Sequence, residues 1–184
     1  MIQPIYLYGS EVLREKASEA DLSRGEDISA LVRDLKDTLQ ASEGCGLAAP
    51  QIGVSQRVVI VDGTVMTDVY DYLKDFRRTL INPVILEESA EMTTYSEGCL
   101  SIPNIYCDVL RPAKMTLRYY NENFEQVTET LDKFACRMVQ HELSHLDGNL
   151  FTDNVPPIRR KMIASKLQNI AKGKVHPHYN SKLK

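Results

Sequence analysis

The feature that most constrains this chain is Gln140-His-Glu-Leu-Ser-His145, which sets His141, Glu142 and His145 in HExxH spacing. On an α-helix, positions four apart point about 40° apart, so two imidazoles at that spacing reach one cation. Glu142 sits beside them as a base for water activated by the ion. The pattern predicts a helix carrying a mononuclear metal hydrolase site. Its bland alternative is a helix with two histidines that are simply packed or exposed.

Two histidines leave such a site one protein ligand short, because catalytic sites of this kind usually hold three and keep one position open. A third His six residues after the second is ruled out by Phe151, and no Glu follows Glu142. Downstream remain Asp147, Asp153, His176 and His178. Asp147 falls on another face if the helix continues, and the tail bearing the last two is Lys-rich and expected to be mobile. The search therefore turns upstream, where four cysteines, Cys45, Cys99, Cys107 and Cys136, form no CxxC pair and no secreted framework. Reduced thiols are expected, and any one of them is free to be a ligand.

A chain of 184 residues with 43% hydrophobic content is long enough for one real core, and residues 1–184 are expected to form a single domain. The opening Met1–Ser10 has no basic region followed by an apolar run, and no segment nears roughly eighteen apolar residues. A cytoplasmic protein without membrane contact is expected. Charge is uneven: of 22 Lys and Arg, eight lie from Asn154 onward, where there is no acid, while the other 14 face all 25 acids. The basic end is either a solvated tail or a contact for an acidic partner such as ribosomal RNA.

Periodicity predicts the elements. Ser10–Lys16 reads as a short helix after a turn at Gly9. Asp27–Gln40 has apolar residues at Ile28, Leu31, Val32, Leu35 and Leu39, an amphipathic helix with Asp27 as its cap. Arg57–Val61 is a buried-type strand, and Thr79–Leu86 holds another in which Pro83 marks an edge or bend. Gly63–Arg78 is expected to be a surface insertion with a helical turn. Ala113–Tyr120 and Glu125–Leu131 form a hairpin around Asn121-Glu-Asn123. Pro156 and Pro157 open a last helix, with Ile158, Met162, Ile163, Leu167 and Ile170 on one side and Gly173 past its end. Gly44–Gln51, with two glycines and a Pro, suits close backbone approach and ends in a side-chain amide.

Three stretches in order, GCGLAAPQ (44–51), EGCLS (97–101) and QHELSHLDG (140–148), resemble the motifs of peptide deformylase, and the similarity runs from Pro4-Ile-Tyr6 to the last helix. The resemblance implies an α+β fold with antiparallel sheets around the HExxH helix and the helical C-terminus of the bacterial type. It implies Cys99 as the third ligand beside His141 and His145, Glu142 as general base, and the Gln51 amide and Leu100 backbone N–H as oxyanion donors. The substrate it implies is the N-formyl-methionyl end of a nascent peptide, added as a strand along Gly46 and Gly98. Phe134 and Met138, on the helix face of His141, are candidates for one wall of the methionine pocket, with plain core packing as the alternative.

The resemblance also implies Fe(II), although a Cys-His-His set accepts Zn(II), Ni(II) or Co(II). A helical C-terminus of this type is associated with docking near the ribosomal exit tunnel. Four positions depart from common family usage: Ser144 where an acid is frequent, Cys45 in place of a branched aliphatic, Asn104 in place of Gly, and Tyr106 where some members carry Arg. Asn tolerates a left-handed backbone. Two rivals stand beside this reading: a peptidase of internal bonds, which would digest protein without releasing formate, and a metal-binding module without catalysis, for which Glu142 would be unnecessary.

Overall fold

The computed structural model describes residues 1–184. In chain order the elements are strand β1 (Ile5–Tyr6), helix α1 (Gly25–Ser42), strands β2 (Gly46–Ala48), β3 (Val58–Asp62), β4 (Arg77–Glu88), β5 (Met92–Cys99), β6 (Ile102–Pro112), β7 (Lys114–Tyr120) and β8 (Gln126–Asp132), helices α2 (Lys133–Leu146) and α3 (Pro157–Ala171), and strand β9 (Ser181–Lys182). Strands β2, β3, β4, β7 and β8 make one antiparallel sheet in that spatial order. The β5–β6 hairpin stands apart from it, and β1 pairs with β9 in parallel. The class is α+β, with a helical segment near the C-terminus, as expected.

The apolar run in β3 is continuous because both faces of the strand are covered. Val59 and Val61 join a cluster with Cys136, Val139, Leu143 and Leu146 of α2, while Val58 and Ile60 join one with Ile28, Val32 and Leu35 of α1. Full burial of each such side chain stabilises the fold by about 1.5–3 kcal/mol. Eleven of the fourteen residues of α2 are buried. A helix enclosed on this scale keeps polar side chains only where other polar groups meet them.

Several expectations change in detail. α1 starts two residues before Asp27, which lies in the first turn and pairs with Arg24 at 2.6 Å instead of capping. The Ser10–Lys16 helix is a single 3-10 turn, Glu11–Arg14. Residues 46–48 of the glycine-rich run form a strand, and the ladder stops where Pro50 enters a 3-10 turn. Pro83 lies at a bulge, preceded by Asn82 at φ +51, whose side-chain amide bonds both backbone groups of Ala20. The 63–78 insertion is not wholly superficial, since Leu73 is buried in the core. On α3 the apolar stripe narrows to Ile163, Leu167 and Ile170; Ile158 and Met162 are 75% and 65% exposed. The tail expected to be mobile is docked: the Ile5 N–H donates to the Asn180 carbonyl and the Leu7 N–H to that of Lys182, both at 2.9 Å.

Candidate active site

α2 carries His141, Glu142 and His145 inward and ends at Leu146, two residues before Gly148, which takes φ +73 and lies against the Arg14 backbone; an added Cβ would sit 2.5 Å from its carbonyl oxygen. The downstream acids are engaged elsewhere, Asp147 with Arg57 at 3.0 Å and Asp153 with Arg14 at 2.6 Å. The third donor comes from the hairpin. Cys99 ends β5, pairs with Ile102 across the Leu100-Ser101 turn, and holds its Sγ 3.4 Å from His145 Nε2.

One ligand atom from each of Cys99, His141 and His145 falls within 4.8 Å of the others. Bonds of about 2.0–2.3 Å to a tetrahedral ion put donor atoms roughly 3.3–3.8 Å apart, and the sulfur–nitrogen distance is already in that range. The imidazole planes stand at 74° with centroids 5.3 Å apart, so the rings approach from different directions. Two buried polar atoms beside them, Glu142 Oε2 and His145 Nδ1, have no protein partner. A soft sulfur, two imidazoles and an unpaired carboxylate oxygen fit a divalent cation with water near it.

His141 is oriented by Glu97, whose Oε1 lies 2.8 Å from its Nδ1 and leaves Nε2 to face the centre. The same oxygen accepts from Arg111 at 3.0 Å, while Oε2 accepts from Arg111 at 2.8 Å and Arg137 at 3.0 Å. Burial raises the pKa of Glu97, but His141 and Arg111 outweigh it and bring the carboxyl down to about 2. Burial opposes a charged His141, yet the Cys99 sulfur and Glu97 raise its pKa well above 6.5. Burial, with His141 and Arg111 adding to it, keeps His145 neutral, the form a ligand needs. Burial lifts Glu142 to about 7.

Gln51 is pinned as well. Its Oε1 accepts the Ala48 N–H at 2.9 Å, which turns Nε2 towards Cys99 Sγ at 3.5 Å and Ser101 Oγ at 3.1 Å. Gly46 lies against Glu142: a Cβ there would be 2.6 Å from its Oε1. Gly98 faces the Tyr106 ring across the hairpin. A cleft of about 650 Å³ opens over this centre and touches all ten of the candidate site residues except His145, which lies beneath it. Phe134 and Met138 line it, the former stacked on Tyr70 at 4.8 Å. Asn104 takes φ +63, the left-handed backbone that glycine commonly supplies.

A family model described as polypeptide deformylase matches residues 2–161. A peptide deformylase of Christiangramia forsetii is 40% identical over 97% of this chain and 94% of its own, and one of Flavobacterium psychrophilum is 40% identical over 100% and 97%. Among solved structures, the Thermus thermophilus peptide deformylase superposes with a TM-score of 0.83 at 32% identity, over 94% of this chain and 99% of that one. The Plasmodium falciparum enzyme gives 0.82 at 30% identity, over 92% and 95%.

The chain belongs to the peptide deformylase family. Peptide deformylases are metal-dependent hydrolases that remove the formyl group from the N-terminus of newly made peptides. In this peptide deformylase three side chains around the centre escaped sequence reasoning. Glu97 stands inside the EGCLS stretch but carries no signal of its own. Arg111 had one: β6 alternates Ile105, Cys107 and Val109 inward, and an arginine at the next inward position needs a buried anion. Arg137, 2% exposed on α2, required the same partner. No helix of this deformylase is long and apolar enough to cross a membrane.

Proposed function

We propose that this peptide deformylase holds one divalent ion on Cys99 Sγ and the Nε2 atoms of His141 and His145. The observation that carries this reading is the convergence of those donors beside a buried Glu142 oxygen that has no partner. Such an ion supplies Lewis acidity, polarising the formyl carbonyl and acidifying water. Glu142 takes the proton of the attacking water and returns it to the departing amine. The Gln51 amide and the Leu100 N–H donate to the carbonyl oxygen as it gains charge. Gly46 and Gly98 flank the peptide as edges, and Phe134 and Met138 wall the methionine side chain. The products are formate and a free amino terminus.

Fe(II) is the ion we assign, with Zn(II), Ni(II) and Co(II) as substitutes; the thiolate and imidazole set accepts each of them. Protein prepared without oxygen and loaded with Fe(II) should release formate from a short N-formyl-methionyl peptide and lose that activity in air. Ni(II)-loaded protein should keep it, because the loss comes from oxidation at the thiolate and metal. Equal survival of the two forms would count against iron.

A cytoplasmic site of action at the ribosome completes the proposal. Its support is the run of bases from Arg159 to Lys161 beside exposed Ile158 and Met162, in a segment without acids from Asn154 onward. Changing Arg159, Arg160 and Lys161 to Glu should reduce co-sedimentation with ribosomes about tenfold or more at moderate salt. Unchanged binding would remove the ribosomal contact and leave the chemistry untouched.

A further inference from the structure

The tail after α3 lies outside the residues that match the family model, which end at 161. It crosses to the N-terminal strand, pairs there as β9, and on the way brings His176, Pro177, His178 and Tyr179 into the lining of the catalytic cleft. The Tyr179 hydroxyl donates to the Leu100 carbonyl at 2.5 Å, and His178 Nε2 lies 3.6 Å from Glu43 Oε2. The neighbouring Ser101 carbonyl accepts from the Tyr8 N–H at 2.8 Å, so the turn that follows Cys99 is held from two sides.

These contacts locate the tail along the cleft. Gly46 lies against Glu142, at the chemical end. Glu43 is three residues back in the same cleft lining, at the left-handed turn (φ +58) that ends α1, and His178 meets it there. A peptide lying along that edge with its formyl group at Glu142 reaches Glu43 and the tail with the residues that follow methionine. Tyr179 is half-buried there, and His176, Pro177, His178 and Tyr179 share the cleft lining with Glu43 and Gly44.

We infer that the segment His176–Tyr179 is the subsite for the second and third residues of the formylated peptide, with Tyr179 also fixing the Leu100 turn. The inference rests on the deformylase site proposed above. It is tested by comparing kcat/KM for formyl-methionine alone with that for formyl-Met-Ala-Ser, in wild-type protein and in His176→Ala/His178→Ala/Tyr179→Phe. The ratio favouring the tripeptide should fall roughly tenfold in the variant, chiefly through KM. Partial unfolding scales both substrates equally and leaves the ratio alone. A ratio within twofold of wild type overturns the subsite while the deformylase reading stands. Wild-type protein that releases formate from neither compound overturns that reading, and the subsite with it.

Discussion

Replacing Glu142 by Gln is expected to lower formate release by about two to four orders of magnitude while the protein keeps one metal ion per chain. The amide has the size of the carboxylate it replaces, and the Gly46 backbone beside it leaves the same space. It cannot accept a proton. Only the transfer from water is removed, since the three donors come from other residues. Metal content by elemental analysis and formate release on the same sample separate loss of the base from loss of the site. Activity above a tenth of wild type would exclude Glu142 as the base, and a chain that bound metal without any catalysis would be indifferent to the change. Protein digestion by the wild type without formate would favour the peptidase instead.

Glu97→Gln is expected to destabilise the fold by about 3–5 kcal/mol and to weaken metal binding by about 10–100-fold. The carboxylate accepts two hydrogen bonds on each oxygen, from Arg111, Arg137 and His141. An amide keeps one acceptor oxygen and turns two hydrogens towards groups that also donate. Two buried guanidinium groups then lack their anion, and His141 loses the contact that points its Nε2 at the centre. Denaturant midpoints give the first quantity and competition with a chelator the second. A variant that is less stable but binds metal as wild type would show that His141 is oriented by its helix alone.

The departure at Ser144 bears on the same cluster. Its hydroxyl accepts from Arg111 at 3.0 Å, so that arginine has a neutral partner on one side and Glu97 on the other. An acid at this position would compete with Glu97 for the guanidinium. With Ser144 in place, the Arg111 charge is directed at the carboxylate that holds His141.

The parts of the fold that were legible are those whose signal is local. The HExxH spacing, the apolar period of α1 and the doubly covered run of β3 each follow from residues near in sequence, and the structure keeps them. Cys99 is different. Its thiol lies 42 positions before His141, and apart from the family resemblance of EGCLS nothing sets it above the other three cysteines; the β5–β6 register, with its tight Leu100-Ser101 turn, is what brings the sulfur to α2. Of the Glu97–Arg111–Arg137 cluster only Arg111 carries a local signal, the inward alternation of β6; a buried charge is otherwise read from its partner, and the partners sit on separate elements. Composition is a poor guide to the tail. Lysines, a proline and no period describe its surface, whereas backbone hydrogen bonds from Ile5 and Leu7 and one tyrosine hydroxyl hold it in place.

The pairing of Ile5 with Ser181 has a kinetic side. Strands β5 to β8 follow one another and α2 follows directly, so Cys99, His141 and His145 all come from the one continuous stretch between Met92 and Leu146. The β1–β9 ladder joins segments separated by nearly the whole chain and offers two residue pairs in return. Long loops close late, and weakly held pairs open first. The Cys99, His141 and His145 donors can thus come together in a folding chain whose cleft is still open at the tail, and docking of β9 then adds the Tyr179 hydrogen bond to the Leu100 turn.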